Sequence, residues 1–406
     1  MYTTSQISSR IESSHGCAMG GIISFSCSLN DSLAIVHGPT GCAGGYRMIF
    51  LLADKCPILP TTAIYQYELA LGTTSKLQAS LYKAARVYSP KVIFVILTCA
   101  TSMIGEDYQD IIEQYQKDTG IKVFLEDGSS LFGEDNDGYR KSYDDFTSWL
   151  NIEHDFDGKS IALDGMAASV YNTKKNMLEL KRIVEDYCGL ILTPSLSVEF
   201  DIDKDLQEYS NAKVIHIGLL NERSGTYAPI GFSSIKDFIN KISEITGKKI
   251  DQNVFDLLDK EREELSEDIN YLKNYLSNRY VMIEADCYYA VSLAKMLKEE
   301  FNCKLAVSSD SYGVKKLDEL GICDWLEADV GGYELNEFRK ELDCVISFGS
   351  SNVYGHNEDC LYIPFTAPVW DSVEESESLF GVSGMRYMIR KLKEHFHDKK
   401  KNSYLW

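Results

Sequence analysis

Three of the eleven cysteines sit in glycine-rich turns or at the end of an apolar run. They are Cys17 in SHGCAMGG, Cys42 in HGPTGCAGG, and Cys99 directly after KVIFVILT. Glycines let the backbone approach a sulfur closely and aim N–H groups at it. Soft anionic ligands, backbone donors and restricted water are the surroundings that a metal–sulfur cluster needs. The spacings are 25 residues from Cys17 to Cys42 and 57 from there to Cys99, far wider than a local ferredoxin run. On spacing alone two readings stand: ligands of one cluster, or three small apolar side chains in the turns of a buried domain.

No C-x-x-C pair occurs, which removes zinc knuckles and thioredoxin-type redox sites. Cys27, Cys56, Cys188, Cys287, Cys303, Cys323, Cys344 and Cys360 read as core or surface residues, with Cys287 and Cys360 at strand-to-loop transitions. His37 ends a buried strand and reads as a structural imidazole that could also donate to sulfur. His15 and Arg47 flank the cysteine loops, and His216 and His356 could reach an interdomain cleft as proton donors. Glu106 and Asp107, just past Cys99, read as a helix N-terminal cap pair. Neither GxxxxGK[ST] nor GxGxxG is present, so the usual nucleotide cradles are missing.

The elements that must position these residues follow from the hydrophobic pattern. KVIFVILT is a continuous apolar run expected for a strand buried on both faces, preceded by a helix with Leu77, Leu81, Ala84, Ala85 and Tyr88 on one side. Strand and helix signals alternate throughout, predicting an α/β protein of three doubly wound, Rossmann-like domains with parallel sheets. The expected units are 1–150, 151–275 and 276–406, the second ending in one long charged helix over 251–279. With 406 residues, 44% hydrophobic and 25% charged, the chain has ample material for these cores.

A net charge of −20 argues against a nucleic-acid partner and suits a partner with a basic docking face, although acidity also serves solubility alone. No apolar run approaches the roughly 18 residues of a membrane span, and MYTTSQISSRIESSHGC has no apolar signal core. A cytoplasmic protein is expected, with no membrane and no nucleic acid among its partners.

SHGCAMGG, HGPTGCAGG, YELALGTTSKLQASL and ILTCATSMIGEDYQDI together resemble component 1 of nitrogenase and its relatives. The likeness extends in order to GSSLFGEDNDGYR, PIGFSSIKDFINKI, and the stretch from DCVISFGSSNVYGHN to GVSGMRYMIRKL. The family includes the protochlorophyllide and chlorophyllide reductases, the nickel-sirohydrochlorin cyclase, cofactor-assembly scaffolds and methylthio-alkane reductases. The resemblance implies that Cys17, Cys42 and Cys99 bind an iron–sulfur cluster at an interface between related subunits. Three thiolates underfill a 4Fe–4S cube, so a facing chain supplies the rest, or six thiolates from two chains hold a fused eight-iron cluster. It also implies a homodimer or a heterodimer with a related component 1 subunit, and electrons from a nitrogenase iron protein-like P-loop ATPase.

The implied activity is an oxidoreductase subunit acting on a small-molecule or tetrapyrrole substrate in the interdomain cleft. The alternative is a non-catalytic scaffold for assembly of a complex metallocluster. Two departures bear on this. VIHIG has Ile217 where a nitrogenase catalytic subunit carries its cofactor cysteine, and YIPFTAPVWD lacks the corresponding histidine. A molybdenum–iron cofactor held by those two ligands is therefore not expected. GLLNERSGTYAPIG is also short for the family, which changes the expected cavity.

Overall fold

The computed structural model describes residues 16–50, 56–167, 171–353, 360–366 and 377–402. Three sheets carry the chain, and every paired strand within them is parallel. The first holds β1 (Ser32–His37), β2 (Val92–Leu97) and β3 (Lys122–Asp127), side by side in that order. On the outer side of β1 the chain at 60–62 runs parallel to it, with Val36 N–H donating to the Pro60 carbonyl and Thr62 N–H to that of Val36. The second sheet has β4 (Ser160–Asp164) between β5 (Ile191–Leu192) and β6 (Lys213–His216). The third has β7 (Tyr280–Glu284), β8 (Lys304–Ser309), β9 (Trp325–Ala328), β10 (Ile346–Gly349) and β11 (Leu361–Pro364), in the order β11-β10-β7-β8-β9. Strand order reverses about β7, as in doubly wound folds.

β2 is buried along almost its whole length, as its apolar run requires. The element that the sequence reading missed is the helix Ala18–Ser28, AMGGIISFSCS, of which all eleven residues are buried. A helix enclosed on all sides carries no polar face, so no 3.6-residue pattern betrays it, and its glycines and serines read as a turn. It crosses the helix Asp135–Leu150 at glycine contact: a Cβ at Gly21 would lie 1.7 Å from the Asp135 carbonyl oxygen, and one at Gly138 1.9 Å from that of Ala18. Phe25 from this helix meets Tyr139, Tyr143 and Phe146 edge-on at 5.5–6.0 Å.

The single helix expected over 251–279 is two helices, Gln252–Glu264 and Ser266–Leu276. Leu265 breaks the ladder at φ −93°, ψ −1°, letting the first half pack on Phe232–Thr246 while the second packs on Cys287–Phe301 and the C-terminal helix Gly381–Asn402. Of the apolar stripe expected along 251–279, Leu258, Leu265, Ile269, Leu272 and Leu276 are buried and Val254 is half-buried. None of the described helices is long and apolar enough to cross a membrane.

On β3, Glu126 is buried against the helix Asp135–Leu150, and one of its carboxyl oxygens lacks a hydrogen-bond partner among the described residues. Burial, with Asp145 adding and Lys141 opposing, pushes its carboxyl up to about 8. The unfolded carboxyl ionises near 4.3, so between that pH and 8 the folded chain keeps a proton that the unfolded chain releases. Stability should therefore fall as pH rises through this window and level off above it, by on the order of a few kcal/mol. Urea melts of Glu126→Gln across pH 5–9 should show a flatter profile than the wild type; parallel profiles would contradict this.

Candidate cluster site

The carboxyl ends of β1, β2 and β3 each hand over to a segment that builds one site. After His37, Gly38 and Pro39 lead into the helix Thr40–Ile49, with Cys42 in its first turn. After Leu97, Thr98 caps a short helix that opens on Cys99. Gly38 lets these two strand ends close, since a Cβ there would stand 2.3 Å from the Thr98 side chain. β3 leads to Ser130, whose N–H donates to Cys99 Sγ at 3.5 Å and whose hydroxyl lies 3.4 Å from it.

Cys17 enters from the buried helix, at its N-cap position. The chain beyond β3 stitches it down: Met19 N–H donates to the Gly128 carbonyl at 3.1 Å, Ala18 N–H to Gly133 at 3.0 Å and Asp135 N–H to Gly16 at 3.1 Å. Tyr46, one turn past Cys42, donates its hydroxyl to the Cys17 carbonyl at 3.1 Å and sits 3.2 Å from Cys17 Sγ. Its ring fills a slot cleared by two glycines; a Cβ at Gly16 or Gly20 would come within 2.7 or 2.8 Å of it.

All three sulfurs are half-buried. Burial pushes the Cys42 thiol up, and the charges of Cys17 and Cys99 push it further, so Cys42 lies in the electrostatic field of both. Each also stands at the start of a helix, the end that favours an anion. Among the described residues no three His, Cys, Asp or Glu groups converge closely enough for a single metal ion.

Among the described residues, a Cβ at Gly41, Gly44 or Gly45 would meet nothing within 4 Å, and all three glycines are exposed. Met48 on the Cys42 helix, Met103 on the Cys99 helix and Leu131 beside Ser130 are 54%, 74% and 70% exposed.

The description "Nitrogenase component 1 type Oxidoreductase" matches residues 17–214 and 223–397. The chain belongs to that family. Over 108 residues it is 35% identical to the component CfbD of the Ni-sirohydrochlorin a,c-diamide reductive cyclase complex from Methanothermobacter thermautotrophicus, a match covering 26% of this chain and 28% of that one. It is 24% identical over 208 residues to the nitrogenase molybdenum-iron protein beta chain of Klebsiella pneumoniae, covering 49% of this chain and 40% of that one. Both matches take in less than half of the relative's own length. Over 411 residues it is 21% identical to the corresponding beta chain of Clostridium pasteurianum, covering 89% and 87% of the two. The solved structure "Nitrogenase Cp1 at pH 6.5" superposes with a TM-score of 0.79 over 99% of this chain and 96% of that one, at 17% identity, which establishes the shared fold.

Within this nitrogenase component 1 fold the other candidates fall into place. His37 is fully buried, its Nδ1 3.1 Å from Thr62 Oγ1 and its Nε2 3.0 Å from Thr73 Oγ1. Both ring nitrogens are taken, so it does not donate to sulfur; burial, against the pull of Glu106, brings it down to about 4 and keeps it neutral. Glu106 does not cap the helix that follows it. Burial alone would raise its carboxyl, but donors from Thr73 and Thr74 outweigh this and bring it down to about 2, fastening the start of the helix Thr74–Tyr88. Asp107 caps as expected, accepting from Gln109 N–H at 2.9 Å. Arg47 donates to the Leu59 carbonyl.

His216 is engaged at both nitrogens, by Tyr143 Oη at 3.2 Å and Ser224 Oγ at 3.5 Å, and burial followed by Arg223 brings it down to about 4. It is a linker between the first two sheets: Tyr143 also donates to the buried Asp164 at 2.8 Å, as Tyr209 does at 2.6 Å. Ile217 is core, and Cys287 is buried with its thiol pushed up by burial and by Asp310. Cys360 donates to Ser347 Oγ at 3.7 Å. His15, His356 and the end of YIPFTAPVWD lie outside the described residues. Sequence reasoning missed Tyr46 and Ser130. The i+4 offset of Tyr46 from Cys42 was the available signal for the first; Ser130 had none.

Proposed function

We propose that Cys17, Cys42 and Cys99 hold an iron–sulfur cluster shared with a related facing chain, in an oxidoreductase subunit fed by a P-loop ATPase. The observation that carries this reading is the gathering of three helix-starting thiols, with Cys42 in the field of the other two, beside an exposed glycine surface. A single ion would hold thiolates at about 2.3 Å, and no such convergence exists among the described residues. Such a cluster would supply one-electron storage at low potential. The chain's own part is to hold the sulfurs, to donate from Ser130 N–H and to fix the Cys17 backbone through Tyr46.

Family membership supports the oxidoreductase class. Three thiolates leave the cluster incomplete, and the exposed Met48, Met103 and Leu131 suit burial under a second component 1 chain, identical or related. The engagement of both His216 ring nitrogens and the core position of Ile217 give no support to a second metallocofactor anchored at β6. We place the unit boundaries near 150 and 275. A scaffold role in cofactor assembly is the second reading, favoured by 31% identity over 111 residues to the iron-molybdenum cofactor biosynthesis protein NifE of Methanococcus maripaludis.

Anaerobic reconstitution, of the chain alone or mixed with a related component 1 chain, should give a brown dimer with about four iron atoms or more per shared site, at twice the 45.8 kDa of one chain if the partner is identical. Colourless monomer from both reconstitutions would overturn the proposal. With an ATPase reductase added, ATP-dependent oxidation of reductant marks the enzyme, whereas cluster transfer to an acceptor protein without turnover marks the scaffold. Gly44→Leu should leave the melting temperature of the isolated chain within a few degrees, because a side chain there meets nothing. The same change should weaken association by about tenfold or more, measured by sedimentation.

A further inference from the structure

A pocket of about 180 Å³ lies between the helices Phe232–Thr246 and Cys287–Phe301, closed by the turn Gly225–Tyr227. The cluster site does not use it. Ser292 lines it, fully buried, with a hydroxyl that has no hydrogen-bond partner among the described residues. A helical serine commonly returns its hydroxyl to a carbonyl one turn back, and this one does not. A buried donor left unmade is costly unless something else accepts from it.

Two cations line the same space. Lys241 and Lys295 have side chains 27% and 24% exposed, while their partners Glu244 and Asp237 are 69% and 61% exposed. Each ammonium now holds one carboxylate, Lys241 Nζ donating to Glu244 at 3.0 Å and Lys295 Nζ to Asp237 at 2.5 Å, and Asp237 also forms part of the wall. Gly225, at φ +63°, takes the left-handed conformation that turns the chain beside Lys241. Phe238 and Val291 complete an apolar side. Thr226 ties the turn to the end of β6 by donating to the His216 carbonyl at 2.6 Å.

We propose that this pocket binds a small organic carboxylate. Its anionic end lies between Lys241 and Lys295 and accepts from Ser292 Oγ, and its short apolar body rests on Phe238 and Val291. Charge-assisted contacts from two ammonium groups and a buried hydroxyl favour an anion over a cation, in competition with the carboxylates those groups now hold. The volume is that of about six water molecules, which admits a molecule on the order of six to ten heavy atoms and excludes a nucleotide or a tetrapyrrole.

The test is isothermal titration of the intact chain with butyrate, inorganic phosphate and butylamine. Butyrate should bind in the millimolar range, with phosphate and butylamine about tenfold weaker or more. Ser292→Ala, which breaks no existing bond, should weaken butyrate about tenfold at unchanged melting temperature. Lys241→Gln and Lys295→Gln, checked by melting for a folded chain, should do the same. Butyrate binding no better than butylamine, or indifferent to Ser292→Ala, would overturn the site. Phosphate binding tighter than butyrate would overturn the organic carboxylate as its ligand.

Discussion

Cys42→Ser should strip anaerobically prepared protein of its iron and lower its visible absorption about tenfold or more, while the far-ultraviolet dichroism keeps its shape. Cys42 is the thiol whose charge is opposed by both of the others, so removing it takes away the member that sees the whole set. Serine offers an alcohol that stays protonated where a thiol ionises, so the ligand is lost while the volume is nearly kept. Folding itself has little to lose, because Cys42 is half-buried and serine nearly keeps its volume. Cys287→Ser is the matched control, because that thiol is sealed in the core and held protonated by burial and Asp310. An iron content that survives Cys42→Ser, or falls equally with Cys287→Ser, would contradict the ligand assignment.

Gly21→Ala should destabilise the chain by on the order of 2–4 kcal/mol and lower iron content with it. The new methyl would start 1.7 Å from the Asp135 carbonyl oxygen and 2.4 Å from the Tyr139 nitrogen, both backbone atoms of the facing helix. Backbone cannot turn aside as a side chain does, so the two helices must part. Alanine is the better helix former by about 1 kcal/mol, which sets the opposing term and is the smaller one. Cys17 stands one turn before Gly21 and is stitched to the same opposing segment, so separation moves a sulfur as well as the core. Chemical denaturation with parallel iron analysis reads both effects. A variant as stable as the wild type would show that the crossing has slack.

The contrast between β2 and the Ala18–Ser28 helix shows what the residues could reveal. A strand covered on both faces is apolar throughout and bounded by breakers, so VIFVIL announced itself. A helix covered on all faces is also apolar throughout, but here its glycines are contact points for another helix, and composition made it look like a loop. The three cysteines were legible because glycine and strand ends surrounded them; Tyr46 and Ser130 were not, since their roles depend on which turns meet. Glu106 was misread for a similar reason. Its donors, Thr73 and Thr74, lie more than thirty residues earlier in the chain, beyond the reach of any local capping rule. The kink at Leu265 follows from two different packing partners, which a single apolar stripe does not distinguish.

The two-glycine crossing also has a consequence for timing. Every contact named at the three sulfurs, from Gly16 to the far helix ending at Leu150, belongs to the first sheet and its covering helices. A ribosome adding roughly 5–20 residues per second would expose all of it while the strands of the other sheets were still emerging. The core of this unit closes later: Leu196, Phe200 and Tyr209 pack into it and Phe200 N–H donates to the Ser28 carbonyl at 2.8 Å, so the helix behind Cys17 is sealed only once the chain past residue 200 has emerged.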